Sequence, residues 1–122
     1  MTVFERMSEP EKNVAEFLSD LGLWWRYESP IYLLDEKDRP RIWTPDFFLP
    51  KFGIYIEVCG SEDFDYEYRE EIYQKNECRI VFLHYYKEQE RWRKFLVDSI
   101  QGTQEVRNTY VENMLNAFKS KY

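Results

Sequence analysis

The stretch 44–60, TPDFFLPKFGIYIEVCG, constrains the fold more than any other part of the chain. Apolar and polar residues alternate on either side of a Pro-Lys-Phe-Gly segment, the pattern of two strands joined by a tight loop. In the first arm, traced back to Ile42, Thr44, Asp46 and Phe48 share Ile42's face, and Trp43, Pro45, Phe47 and Leu49 take the other. In the second arm Tyr55, Glu57 and Cys59 oppose Ile54, Ile56 and Val58. Closing a four-residue loop over 50–53 pairs Leu49 with Ile54 and, counting back, Asp46 with Glu57. Directly opposed residues point to the same side of a sheet with Cβ atoms about 4.5–5.5 Å apart, so these carboxylates repel unless something lies between them. Two readings are open at this point. One is a hairpin clamp for a divalent cation, whose hard charge favours carboxylate oxygens. The other is a solvated sheet face carrying two unrelated acids.

A chain of 122 residues, 19% aromatic and 33% charged, can bury a real core and is predicted to fold as a single domain over 1–122. No apolar run is long enough to span a bilayer, and residues 1–8 lack a signal-peptide pattern, so a cytoplasmic protein without a membrane partner is expected. The formal charge of −6 counts against nucleic-acid binding, which usually shows as a basic excess. Arg26, Arg39, Arg41, Lys51, Lys75, Arg79, Arg91, Arg93 and Lys94 are the residues from which one basic face could still be gathered. Cys59 and Cys78 belong to no metal-ligand spacing. If one ends a strand and the other begins its parallel neighbour, they lie at opposite ends of the sheet. A disulfide is then not expected, and a reducing compartment fits.

Ahead of the hairpin, Ser8-Glu9-Pro10-Glu11 reads as a helix start: a serine N-cap, proline in the first turn and a glutamate three residues on. The helix is predicted to run to about Leu21, stopped by Gly22, with Val14, Phe17, Leu18 and Leu21 as its buried stripe. Glu11 lies on that side of the helix; half of a capping box is a sufficient role for it. Residues 23–34 read as a strand, bulged near Ser29-Pro30, and 41–49 run back as the first arm of the hairpin, making a three-stranded meander. A helix over 64–76 follows, capped by Ser61 or Asp63. The apolar run 79–84 is of the kind that sits mid-sheet and pairs in parallel after a crossover. Two further helices are expected, over 87–100 and 103–121, divided by Gly102. The fold class is therefore α/β, a mixed four-stranded sheet flanked by helices.

This order of elements, with Pro45-Asp46 on one strand and Ile56-Glu57-Val58-Cys59 on the next, resembles the PD-(D/E)XK nuclease superfamily, in particular its small members near Holliday-junction resolvases and very-short-patch repair endonucleases. The blocks SEPEKNVAEFLSDLG, WWRYESP, TPDFFLP and GIYIEVCG carry the resemblance, which spans about 8–84. It implies a restriction-endonuclease-like αβββαβ core with two appended C-terminal helices. It further implies a Mg²⁺- or Mn²⁺-dependent deoxyribonuclease: Asp46, Glu57 and the main-chain carbonyl of Val58 as ligands, Glu11 close by, and DNA as substrate. The lysine position of the motif holds Cys59, which cannot supply a cation. Either the charge comes from the following helix, from Arg69 or secondarily Lys75, or the site has decayed into a non-cutting module that binds nucleic acid or a protein.

Other residues carry blander readings. His84, the single histidine, ends its strand near Cys59 and reads as a boundary residue. Glu28 is either a supporting acid or a surface glutamate. The aromatic segment 66–73 suits packing better than base stacking. Val106, Tyr110, Met114 and Phe118, at four-residue steps, give the last helix an apolar stripe that either docks on the domain or joins a homodimer.

Overall fold

The computed structural model describes residues 3–60, 65–87 and 91–121. A 3-10 turn (Val3–Arg6) precedes α1 (Glu9–Asp20). Ser8 Oγ accepts the Glu11 N–H at 3.3 Å and a Glu11 carboxylate oxygen accepts the Ser8 N–H at 3.3 Å, the reciprocal capping box that the sequence predicts. Gly22, at φ +73°, ends the helix. Val14, Ala15 and Leu18 are fully buried, whereas Leu21, expected inside, is the C-cap and stays exposed.

The expected three-stranded meander is divided into two sheets. β1 (Arg26–Tyr27), β4 (Phe47–Leu49), β5 (Ile54–Cys59) and β6 (Arg79–His84) form a mixed sheet in the order β1-β4-β5-β6, while β2 (Ile31–Leu34) and β3 (Pro40–Trp43) form a separate hairpin. The predicted strands over 23–34 and 41–49 each break where the chain cannot continue a ladder. Glu28 adopts φ +56° ahead of Pro30, and Pro45 has no N–H to donate. The central hairpin keeps its predicted register, Leu49↔Ile54, Phe48↔Tyr55 and Phe47↔Ile56. The Gly53 N–H reaches Leu49 O at 2.9 Å, with Gly53 at φ +67°.

α2 (Tyr66–Lys75) links β5 to β6, which pair in parallel. Its N-cap is Asp65, whose carboxylate accepts the Tyr68 N–H at 3.0 Å. The caps anticipated at Ser61 and Asp63 lie outside the described residues. β6 has helices on both faces, but its place is the sheet edge rather than the middle.

The two expected C-terminal helices are one, α3 (Trp92–Lys121). Gly102 does not take the left-handed conformation that would end a helix, and Thr103 Oγ1 bonds back to Ser99 O at 2.9 Å instead of capping a new one. The start anticipated at residue 87 falls beside 88–90, outside the described residues.

Two apolar layers enclose the sheet. On one face Val14, Ala15 and Leu18 of α1 and Trp92, Leu96 and Ile100 of α3 pack on Phe47, Leu49, Ile54, Ile56, Val81 and Leu83. On the other, Ile72 and Tyr73 of α2 and Ile31 and Leu33 of β2 form the second cluster, joined by Trp43, Tyr55, Ile80 and Phe82. Each fully buried aliphatic or aromatic side chain contributes about 1.5–3 kcal/mol relative to exposure. The turn of the β2–β3 hairpin is built on Asp35, 3% exposed, whose carboxylate accepts from the Lys37 and Arg39 N–H groups and from Nε of Arg39 and Arg41 at 2.9–3.0 Å. No helix among the described residues is long and apolar enough to cross a membrane.

Candidate metal centre

The ladder between β4 and β5 stops one step short of pairing Asp46 with Glu57. Asp46 instead sits in a bend held from both sides. Its carbonyl accepts the Glu28 N–H at 2.9 Å, and its Oδ2 accepts the Val58 N–H at 2.8 Å. Proline at 45 starts this bend by removing a ladder donor. The outcome matters more than the pairing: Asp46 and Glu57 both line one cleft of about 210 Å³, together with Thr44, Val58, Cys59 and Arg69. A larger cleft of about 730 Å³ on the outer side of the β2–β3 hairpin is lined by no carboxylate.

Glu57 is 7% exposed and occupied on one oxygen. Arg69, from α2, donates through Nη2 to Glu57 Oε1, and the Tyr73 hydroxyl donates to the same oxygen at 3.0 Å. The guanidinium lies 5.2 Å from the centre of the Trp43 ring, a cation–π seat. Its Nε is buried and makes no hydrogen bond among the described residues. A buried donor left open in this way suits an acceptor brought in by a ligand.

The two acids respond to burial alike. Burial pushes the Asp46 carboxyl up to about 7; the Val58 N–H bond works against this, and the negative charges of Glu11, Glu57 and Glu28 add to it. Burial also raises the Glu57 carboxyl, opposed by the charge of Arg69 and the bonds from Tyr73 and Arg69. Cys59 follows the same rule: burial pushes its thiol up to about 12, so it is neutral. A carboxyl that titrates near neutrality inside a cleft beside like charges is the environment in which functional acids are found.

The other sequence candidates fall into two groups. Glu11 bonds to Ser8 and accepts from the Tyr27 hydroxyl, so it braces β1 against α1 while its charge still acts on Asp46. Lys75 is placed elsewhere: Nζ donates to Asp35 O and to Asp38 Oδ1, both at 2.7 Å, tying α2 to the β2–β3 turn. Glu28 pairs with Arg6 on the surface. His84 lies beside Cys59 in the parallel register and meets the Tyr66 ring edge-on. Sequence reasoning passed over Tyr73 and Trp43, which hold Glu57 and Arg69. Their apolar bulk reads as core, and only the fold reveals that they present a hydroxyl and a ring face to the charged pair. Arg26 was one of nine scattered basic residues; opposite Phe48 in the β1–β4 register, it is exposed on the sheet face that carries Asp46.

Carboxylate oxygens are the donor type that a hard divalent ion of the Mg²⁺ kind takes. Among the described residues no group of three His, Cys, Asp or Glu side chains converges to hold a metal unaided. Asp46 Oδ1 and Glu57 Oε2 make no hydrogen bond among those residues, leaving one oxygen on each acid for a cation. Mg²⁺ is commonly held by one or two carboxylates, completed by water and substrate phosphate. No protein-family model, curated protein or solved structure matches the chain.

Proposed function

We propose that this chain is a metal-dependent endonuclease of the PD-(D/E)XK type, with a restriction-endonuclease-like core, that hydrolyses DNA phosphodiester bonds in the cytoplasm. Mg²⁺ or Mn²⁺ would be held by Asp46, Glu57 and the Val58 carbonyl. One observation carries the reading: a buried glutamate on β5 and a half-buried aspartate in the bend before β4 share a cleft, the aspartate titrating near 7, with an arginine beside them. Asp46 has a single N–H to set against its desolvation and the neighbouring negative charges, a balance that a bound cation would improve.

A bound Mg²⁺ supplies Lewis-acid chemistry, lowering the pKa of a water and offsetting charge on the phosphate. The chain's own residues do the rest. Asp46 gives up its proton when a cation arrives, so binding strengthens as pH rises through about 7. Tyr73 keeps Glu57 oriented. Arg69 serves as internal counter-ion while the cleft holds no cation. Once Glu57 is neutralised otherwise, the guanidinium is available to a phosphate oxygen, for which its planar fork is suited. It stays protonated, so it positions and neutralises rather than accepting a proton. Glu11 adds negative charge from α1, and exposed Arg26 offers a phosphate contact on the same sheet face.

In the first test, supercoiled and branched DNA are incubated with the protein and Mg²⁺. Cleavage is expected from the wild type and none from Asp46→Ala, with an unchanged circular-dichroism spectrum. Cutting that survives in the variant removes this cleft from the reaction.

The Glu57–Arg69 pair also favours a second reading, a nuclease-like module that no longer cuts and binds nucleic acid or a protein, its cleft neutralised from within. Calorimetric titration with Mn²⁺ separates the two. Binding lost in Asp46→Ala supports the enzyme; no binding at millimolar metal supports the inactive module.

A further inference from the structure

We propose that two copies of this chain associate through the free edge of β6 and the neighbouring face of α3, pairing β6 with β6 about a two-fold axis. β6 is the last strand of the sheet, so among the described residues one side of its backbone has no ladder partner. Edge strands are normally blunted by lysine, proline or a bulge, or covered. This one, Arg-Ile-Val-Phe-Leu-His, has no proline and carries one charged side chain, Arg79, at its first position, and open clefts lie along it between α2 and α3. A run of clefts of about 630, 350 and 630 Å³ follows the edge between α2 and α3, from the His84 end to Tyr110.

The wall of this groove is apolar. Ile80 and Phe82 line it from the strand, and Phe95, Val106 and Tyr110 line it from α3 at 39%, 52% and 65% exposure. Met114, one turn beyond, is 61% exposed. Large apolar side chains cover about 150–250 Å² each when buried, so these exposed portions amount to on the order of 400 Å². A monomer's largest apolar patch is about 300–600 Å². A six-residue strand edge added to that patch approaches the roughly 800 Å² per partner of a stable interface.

The occupant that completes both features is a second copy. Antiparallel β6 pairing about an axis perpendicular to the sheet keeps α3 of each copy on the same side, so the symmetry that satisfies the strand edges also sets the two helices next to each other. Acids line both ends of the groove, Glu67 and Glu70 near His84 and Glu77 beside Arg79. Antiparallel pairing sets each Arg79 toward Glu67 and Glu70 of the other copy, and each Glu77 toward the same pair.

The test uses the full chain. Sedimentation equilibrium from about 1 to 100 µM is expected to show a reversible species of twice the 15.1 kDa chain mass. Hydrogen exchange of the outward-facing β6 amides should slow with concentration, because ladder amides exchange through opening. Val106→Glu/Tyr110→Glu, both on exposed positions, should keep the circular-dichroism spectrum and raise the dissociation constant at least about tenfold. A chain that stays monomeric at 100 µM overturns the proposal, even if a foreign peptide strand occupies the groove. So does a dimer whose dissociation constant and β6 exchange are the same in the double variant.

Discussion

Two aspartates give this molecule its clearest internal contrast. Asp35 is buried and Asp46 half-buried, and desolvation alone would raise both carboxyl groups. At Asp35 four donors answer: the Arg39 and Lys37 N–H groups and the side chains of Arg41 and Arg39 outweigh desolvation and hold the carboxyl well below the usual range. At Asp46 one N–H answers, three other carboxylates add to the burden, and the group titrates near 7. The supply of donors separates the two: four hold Asp35 ionised, and one leaves Asp46 raised.

The largest effect expected from this contrast is on catalysis. Asp46→Asn should lower Mg²⁺-dependent cleavage by at least about a hundredfold, measured as initial rate, and should leave the thermal midpoint the same or higher. Asp35→Asn should do the opposite, lowering the midpoint by on the order of 10 °C with the rate of the still-folded fraction retained. A fall in stability for both variants would erase the distinction between the two aspartates.

Next comes pH. Between its unfolded value near 3.8 and the folded value of about 7, Asp46 binds more proton in the folded state than in the unfolded state. Its contribution to stability therefore falls as pH rises through that window. Asp35 has the reverse sign: its stabilisation is present above the unfolded value of 3.8 and is lost as pH falls toward the lower folded value. Thermal midpoints across about pH 4–8 should show the Asp46 decline vanish in Asp46→Asn. Millimolar Mg²⁺ should raise the wild-type midpoint more at about pH 8 than at about pH 6.

Arg69 and Lys75 sharpen the comparison further. Arg69→Gln frees Glu57 and should tighten Mn²⁺ binding in calorimetry while slowing cleavage about tenfold. The smallest effect belongs to Lys75→Ala. It touches only the β2–β3 turn and should leave the rate within about twofold, with a midpoint shift of no more than a few degrees.

What the sequence disclosed follows from how local the signals are. The capping box at Ser8 and Glu11, the glycine at 22 and the register of the 50–53 loop are set by neighbouring residues and are legible from them. That Asp46 and Glu57 come near each other was legible because a hairpin is local, although the ladder ends before pairing them. Three features required the fold. Where the β2–β3 hairpin goes once the ladder breaks at Glu28 and Pro45 is set by its packing on α2, a long-range contact. Gly102 looked like a stop, and continuous packing of Trp92, Leu96 and Ile100 on β6 and its neighbours carried the helix to that point without the left-handed turn a stop requires. Lys75 and Arg69 are both basic residues on α2, six apart, and spacing alone could not say which one meets Glu57 and which meets Asp38.

Gly102 has one more consequence. A Cβ there meets nothing within 4 Å, so alanine would enter open space and add about 1 kcal/mol to the helix. Glycine therefore leaves a weak point in the helix about a third of the way along a thirty-residue rod, between the segment packed on the sheet and one held to the domain by Arg107, whose Nη1 donates to Phe52 O at 2.9 Å.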